Sequence, residues 1–326
     1  MPDRFRRMHP YFGRFHRPAR GVAVLGVLSC GRSRMTLDPG RDGGPRVRAM
    51  IVAMRRVVLT IVAAALAASV AAAQQFTPAP GAELLHRPLD QILDVNVRDG
   101  LVYYRALKGD RGRLDRYIAS LNVTPAVYQG WPRPQQMAFW VNAYNAFVLQ
   151  TVINHYPLRG TIREIPGAFD RTPFHAAGRT VTLDQIEKTI LPEFKDPRLY
   201  LALGRGAIGG GRLRSEAYTG ERLEKQLADL QEEFVSNRYM YRLDRSAGQM
   251  SITPIVSWRE AEFVAAYADK ADPVFAQRSP IERAIIAFVW PNLLPLEKDL
   301  VKKNEFRMVF HEMDWRLNDL TGGRVE

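Results

Sequence analysis

The sequence predicts an α+β fold: a single helix-dominated domain with a buried central helix packed on a small sheet. Three observations predict it. The stretch from about Pro134 to His155 carries Met137, Phe139, Trp140, Tyr144, Phe147, Val148, Leu149, Val152 and Ile153, which cover nearly the whole circumference of a helix, so that helix must be buried. Helix-start signatures recur along the chain, whereas strand-like runs are few and short. From Leu84 to Leu320 no low-complexity break or internal repeat divides the sequence, so one domain is the simplest organisation.

The elements follow in order. Leu101-Val-Tyr103 is a weak strand candidate. The central helix comes next, and Asn142 and Asn145 lie three residues apart on one of its faces. A buried amide without partners costs about 1–3 kcal/mol, so both must be hydrogen-bonded, to backbone from a neighbouring loop or to a bound molecule. Thr180-Val181 is another weak strand. Thr182-Leu-Asp-Gln185 is a capping box opening a helix with Ile186, Ile190 and Leu191. The apolar run Leu199-Tyr-Leu-Ala-Leu203, ended by glycines, predicts a strand. Thr219 can cap a helix whose apolar face is Leu223, Leu227, Leu230 and Phe234. Met250-Ser-Ile-Thr253 alternates as a strand does. Ser257-Trp-Arg-Glu260 and Ser279-Pro280-Ile-Glu282 read as two more helix starts, and Trp290-Pro291-Asn292 as a helix stop.

The amino-terminal quarter is different. Met54-Arg-Arg, an apolar stretch of about 17 residues and Ala71-Ala72-Ala73 form the basic, apolar and small-residue regions of a secretory signal, with cleavage expected near Ala73. The same stretch is at the lower edge of membrane-spanning length, so the membrane enters only if this segment stays uncleaved. Residues 1–53, rich in Arg, Pro and Gly, precede it. The expectation is that translation starts at Met54 or Met50 and that 1–53 is an unstructured extension. Residues 74–83 form a linker, 84–320 the domain and 321–326 a tail. The location expected is the periplasm or the exterior of the cell.

Charge and cysteine follow from this division. The whole chain is formally +12, but residues 1–73 hold 13 Arg and 3 Asp, leaving 33 basic and 31 acidic residues in 74–326. The basic balance therefore belongs to the leader, and nucleic acid is not an expected partner. The one cysteine, Cys30, precedes the signal segment, so the exported chain has no disulfide and no thiol.

Phe139-Trp140-Val-Asn142-Ala-Tyr144-Asn145-Ala146 resembles the hallmark segment of domain-of-unknown-function family 547. Asp99-Gly100-Leu-Val102-Tyr-Tyr104, His155-Tyr156-Pro157, Leu183-Asp184-Gln-Ile186-Glu187, Asp196-Pro197-Arg198 and Asp314-Trp315-Arg-Leu317-Asn318 resemble its other motifs, over about residues 84–320. The resemblance implies a cysteine-bearing turn after residues 202–203 and a histidine after the Ile-Glu pair, which suggests a thiol nucleophile with its base. This chain departs at those places. Arg205 and Gly210 stand where the cysteines fall, and Lys188 where the histidine does. A thiol mechanism is therefore excluded for this member.

Candidate residues remain. The Gly-rich segment 204–211 is read as a flexible loop or as an anion-binding loop, with Arg205, Gly206, Gly209, Gly210, Gly211, Arg212 and Arg214 as ligand-binding candidates. Its Gly204-x-Gly206-x-x-Gly209 pattern is a weak dinucleotide signature, because no helix opens directly behind it. His175 is the catalytic candidate among the histidines, with Asn142 and Asn145 as partners, and a structural role is the alternative for each. Asp184 and Glu187 are a carboxylate pair in a first helical turn. Ser215 is a nucleophile candidate without an elbow motif. His86, His155, His175 and His311 show no metal-ligand spacing, so no metal and no cofactor are expected. Trp315 and Asn318 are expected to fasten the carboxy-terminal segment to the core. The function expected is a non-catalytic domain binding a small molecule or an envelope component. The alternatives are a hydrolase or transferase without a thiol, and a purely structural envelope protein.

Overall fold

The computed structural model describes residues 81–322. The expectations for the extension, the leader, most of the linker and the last residues of the tail lie outside that range. Of the expected linker, Ala82 and Glu83 already belong to helix α1, Ala82–Asn96. A tight hairpin follows, β1 (Val97–Arg98) against β2 (Leu101–Val102). Its two-residue turn places Asp99 at φ 52 and Gly100 at φ 83, the left-handed pair that an Asp-Gly turn supplies. Helices α2 (Tyr104–Gly109), α3 (Arg111–Ser120) and α4 (Pro125–Gln129) lead into α5, Arg133–His155.

Helix α5 is buried on every side from Met137 to Leu149, as its apolar circumference predicts. Its neighbours are chiefly α1, α2 and α3. It meets the second hairpin, β3 (Phe174–Ala176) with β4 (Arg179–Val181), through a stacked Phe147–Phe174 pair with ring centroids 4.2 Å apart. The α+β class holds, with the strands divided among three small sheets. The third sheet pairs β5 (Tyr241–Asp244) antiparallel with β6 (Gln249–Ile252), and β6 parallel with β7 (Arg307–Phe310). One continuous core runs from Leu89 to Leu317.

Three predicted elements differ. Residues 197–202 form a 3₁₀ helix instead of a strand: Asp196 caps it by accepting from Arg198 N, and Pro197 occupies its first turn. A short apolar run is ambiguous between the two states, and the Asp-Pro start decides it. The helix expected from Thr219 begins later, as α7 (Leu223–Ser236), with Arg222 at its cap position. Ser257 does not start a helix. It lies inside α8 (Pro254–Trp258), capped by Thr253, and α9 (Glu260–Tyr267) follows after a break at Arg259. The Thr182 and Ser279 capping boxes form as predicted, the latter opening α10 (Pro280–Val289). A last helix, α11 (Pro295–Lys302), precedes β7.

After its capping box the Thr182 helix is irregular. Helix α6 (Leu183–Gln185) passes into a π-helical turn, Ile186–Ile190, and a 3₁₀ turn, Leu191–Phe194. A π turn adds a residue to the helical register and re-aims the side chains it carries. Here it carries Glu187 and Lys188, and Glu187 is buried. Among the described residues no helix is long and apolar enough to cross a membrane.

Candidate functional site

The two asparagines of α5 each hold a loop by both ends of the amide. Asn142 Nδ2 donates to Tyr218 O at 2.8 Å, and its Oδ1 accepts from Tyr218 N at 2.9 Å. Asn145 Nδ2 donates to Ala202 O at 3.0 Å, and its Oδ1 accepts from Gly204 N at 2.9 Å. Each side chain acts as a peptide group would in a ladder, so both ends of the buried amide are taken by backbone. Neither is placed to orient a substrate.

The Gly-rich segment is a packed corner of the core. Ala207 N donates to Gly204 O, Ile208 N to Arg316 O, Gly209 N to Asp314 O, Gly210 N to Ala207 O and Gly211 N to Leu203 O. With these amides occupied, neither a flexible loop nor a cradle of free N–H groups exists there. The expected use of Gly209, Gly210 and Gly211 as anion ligands is corrected accordingly, and Gly206, at φ 64, is packed against Ile162, Val148 and Val152. The glycines are needed for close approach. A Cβ at Gly210 would lie 2.6 Å from Gly204 O, and one at Gly211 would collide with Leu201 O. The segment follows a 3₁₀ helix with no strand before it, which removes the dinucleotide reading.

Arg205 also departs from expectation. Its side chain is almost fully buried. Nη2 donates to Glu187 Oε1 at 2.7 Å, and Nη1 donates to Tyr200 O and Leu203 O at 3.0 and 3.1 Å. Tyr144 of α5 donates to Glu187 Oε2 at 3.1 Å. Arg205 has φ 47, a left-handed conformation that costs a non-glycine residue roughly 1–2 kcal/mol, and its buried partners hold it there. Burial alone raises the Glu187 pKa. The Arg205 charge and hydrogen bond, with Arg259 and Tyr144, outweigh that effect and leave the carboxyl below its ordinary range. Burial likewise works against the Arg205 cation, and Glu187 more than offsets it, so the pair is ionised.

Above this pair lies an open cleft of about 600 Å³. Phe169, Trp258 and Trp315 provide its apolar surface and Arg163, Lys188 and Arg259 its cations, with Asp184, Glu187 and Arg205 also reaching it. Trp258 and Trp315 are near-parallel at 21° with centroids 6.3 Å apart, and Phe169 meets Trp315 edge-on. Arg163 sits over the Trp315 ring at 5.3 Å. Arg259 sits over Tyr200 at 4.6 Å. The expected carboxylate pair is thus present in one cleft, but each member has its own cation: Glu187 has Arg205, and Asp184 has Lys188 at 2.5 Å.

A second groove contains the remaining arginine candidates. Arg212 bridges Asp99 at 3.1 Å and Glu233 at 3.2 Å, and Arg214 reaches Glu216, Asp229 and Glu233. Asp90, Asp94 and Ser215 line the same groove. Five carboxylates against three arginines make its field negative, so Arg212 and Arg214 are not an anion site.

The histidines stand apart from both. His175 is exposed on β3, with Nδ1 3.1 Å from Thr180 Oγ1, and lines neither cleft. His86 is buried and its Nδ1 pairs with Tyr117 Oη at 2.8 Å; burial lowers its pKa to about 3. His155 Nδ1 lies 3.0 Å from Thr151 O in the last turn of α5. Among the described residues no group of three or more His, Cys, Asp or Glu could hold a metal ion. Asn318 fastens the carboxy-terminal segment as expected. It accepts from Tyr104 Oη at 2.7 Å and donates to Gly100 O at 2.9 Å. Trp315 is half-buried, packs against the core and also lines the cleft.

Residues 128–235, which contain α5, Glu187 and Arg205, match the model of a family described as protein of unknown function, DUF547. Over this stretch the chain is similar to that family. No curated protein and no solved structure matches the chain. Within the DUF547 segment, two of the three positions at which the resemblance implies a cysteine or a histidine meet in one place: Arg205 and Lys188 both line the Trp258–Trp315 cleft. Gly210 does not, because it is packed against Gly204 and Ala207, and a side chain there would have no cavity to enter.

Sequence reasoning missed Arg163, Phe169, Trp258 and Arg259. The last three positions of the cleft, Trp258, Arg259 and Trp315, lie beyond the DUF547 match, and Trp258-Arg259 was absorbed into a capping box that does not form. A tryptophan between two polar residues at a helix end was the available signal.

Proposed function

We propose that the domain is a non-catalytic ligand-binding module whose ligand seats in the cleft between the π turn at Ile186–Ile190 and the Trp258–Trp315 pair. The observation that carries this is the Arg205–Glu187 pair. Where the resemblance implies a nucleophile, this chain has a guanidinium saturated by Glu187, Tyr200 O and Leu203 O, and where it implies the base it has Lys188 paired with Asp184. Neither is disposed to attack a substrate or take a proton, while the aromatic surface beside them stays open. The volume falls within the range of small-molecule sites. A hydrolase or transferase working through His175, Asn142 and Asn145 has no geometry to support it, since the three do not share a cleft.

The module is read as exported, from the sequence of residues 54–73 alone. Mass spectrometry of the native amino terminus tests that. A start near Gln74 is expected, and a peptide from residues 21–32 contradicts it.

The site is tested by thermal-shift screening of the full chain against a chemically varied small-molecule library. A ligand at 100 times its Kd stabilises by about 2.7 kcal/mol. Hits are expected to lose their shift in Trp258→Ala, keep it in Arg212→Gln and be recovered unchanged. Hits that depend on Arg212 and not on Trp258 move the site to the second groove. Chemical conversion of a hit contradicts the non-catalytic reading.

A further inference from the structure

We propose that the Trp258–Trp315 cleft takes a six-membered ring bearing a carboxylate. This rests on the cleft being the ligand site and adds the chemistry of what fills it. The ring follows from the indoles. Trp258 is 45 % exposed although it lies near-parallel to Trp315 and next to the core, so a flat apolar face is left open to solvent. Such a face receives a sugar ring through its C–H edges or an aromatic ring by offset stacking.

The carboxylate follows from the charges. The cleft holds four cations, Arg163, Lys188, Arg205 and Arg259, against two carboxylates, Asp184 and Glu187. Glu187 is taken up by Arg205 at 2.7 Å, and Asp184 by Lys188 at 2.5 Å. Arg163 pairs with no carboxylate among the described residues and rests on the Trp315 ring. Arg259 has only long contacts, 3.5 Å to Glu187 and 3.9 Å to Glu262, and its Nε is buried with no hydrogen-bond partner. Two guanidinium groups thus flank the aromatic surface with incomplete counter-charge, and a guanidinium matches a carboxylate with two parallel hydrogen bonds. A neutral ring would cover the indole and leave the cations unmatched. A bare phosphate would meet the cations and leave the indole uncovered.

Two sources share this chemistry, a uronic-acid sugar and an aromatic acid. Calorimetric titration of the full chain separates them with two probe pairs: digalacturonate against neutral galactobiose, and benzoate against benzyl alcohol. In one pair the acid is expected to bind at least about tenfold tighter than its neutral partner. Arg163→Gln should remove most of that difference, and Trp258→Ala should weaken both members. Rising salt should weaken the acid more than its partner. The exposed positions of Arg163 and Trp258 keep both variants folded, which an unchanged melting temperature verifies. Equal binding of acid and neutral partner, lost in Trp258→Ala, overturns the carboxylate and leaves the cleft standing. Binding that Trp258→Ala does not change overturns the cleft as well. No heat from either acid overturns the ring-carboxylate class.

Discussion

Replacing Arg205 by methionine tests the buried pair on which the site is built. The change keeps much of the side-chain volume and removes the charge. Glu187, buried at 7 % exposure, would keep Tyr144 at 3.1 Å and the long contact to Arg259, but lose its 2.7 Å partner. The carbonyls of Tyr200 and Leu203 would lose their donors as well. Breaking a buried pair by removing one partner costs about 3–5 kcal/mol. For a domain of this size each kcal/mol lowers the melting temperature by about 2–4 °C, so a fall of roughly 6–20 °C is expected. The double variant Arg205→Met with Glu187→Leu removes both charges and should cost at least about 2 kcal/mol less than the sum of the single changes.

Acid sensitivity supplies a second readout from the same variants. Because the folded Glu187 pKa is depressed, its contribution is present above the unfolded value near 4.5 and is lost as pH falls through the folded pKa. Arg205→Met should therefore flatten the loss of stability below about pH 4.5. The assay is urea denaturation of the full chain at several pH values. A single-variant cost below about 1 kcal/mol, or additive single and double variants, would refute the reasoning.

Three other outcomes follow from the packing. Asn145→Leu should cost about 2–4 kcal/mol, since Ala202 O and Gly204 N would both be left buried without partners; a change under about 0.5 kcal/mol by urea denaturation would show that the 202–204 backbone is not held by this amide. Gly211→Ala should destabilise by about 3 kcal/mol or prevent folding because the new methyl meets Leu201 O, whereas Gly109→Ala, with nothing within 4 Å of its Cβ, should leave the melting temperature nearly unchanged; similar melting temperatures for the two would contradict the packed corner. Burial depresses the His86 pKa to about 3 against 6.5 in the unfolded chain, so the unfolded state binds the extra proton and stability falls as pH drops below 6.5. Between pH 7 and pH 5 this amounts to about 2 kcal/mol that His86→Leu should not lose, and parallel pH profiles would show His86 to be solvated.

How much was legible varied with the kind of signal. Helix α5 was read within a residue of its observed bounds because a side chain at every angle of the helix was apolar, and only burial accommodates that. The two boxes at Thr182 and Ser279 were readable because capping is local. The run at 199–203 was misread since apolarity alone does not separate a buried strand from a 3₁₀ turn, and the Asp196-Pro197 start was given too little weight. The glycines at 204–211 suggested freedom, but their reason is steric: backbone carbonyls of Leu201 and Gly204 occupy the space where side chains would stand. That information lies in tertiary contact and has no trace in spacing. The Arg205–Glu187 pair was illegible for the same reason. Eighteen residues separate its members, and a π turn and a left-handed backbone bring them together.

The place where a ligand settles is the most direct readout of the site. Hydrogen–deuterium exchange by mass spectrometry, on the full chain with and without digalacturonate, reads this without a substitution. Slower exchange is predicted in peptides covering residues 161–169, 254–260 and 312–317. Protection confined to peptides covering 97–101 and 212–216 would contradict it.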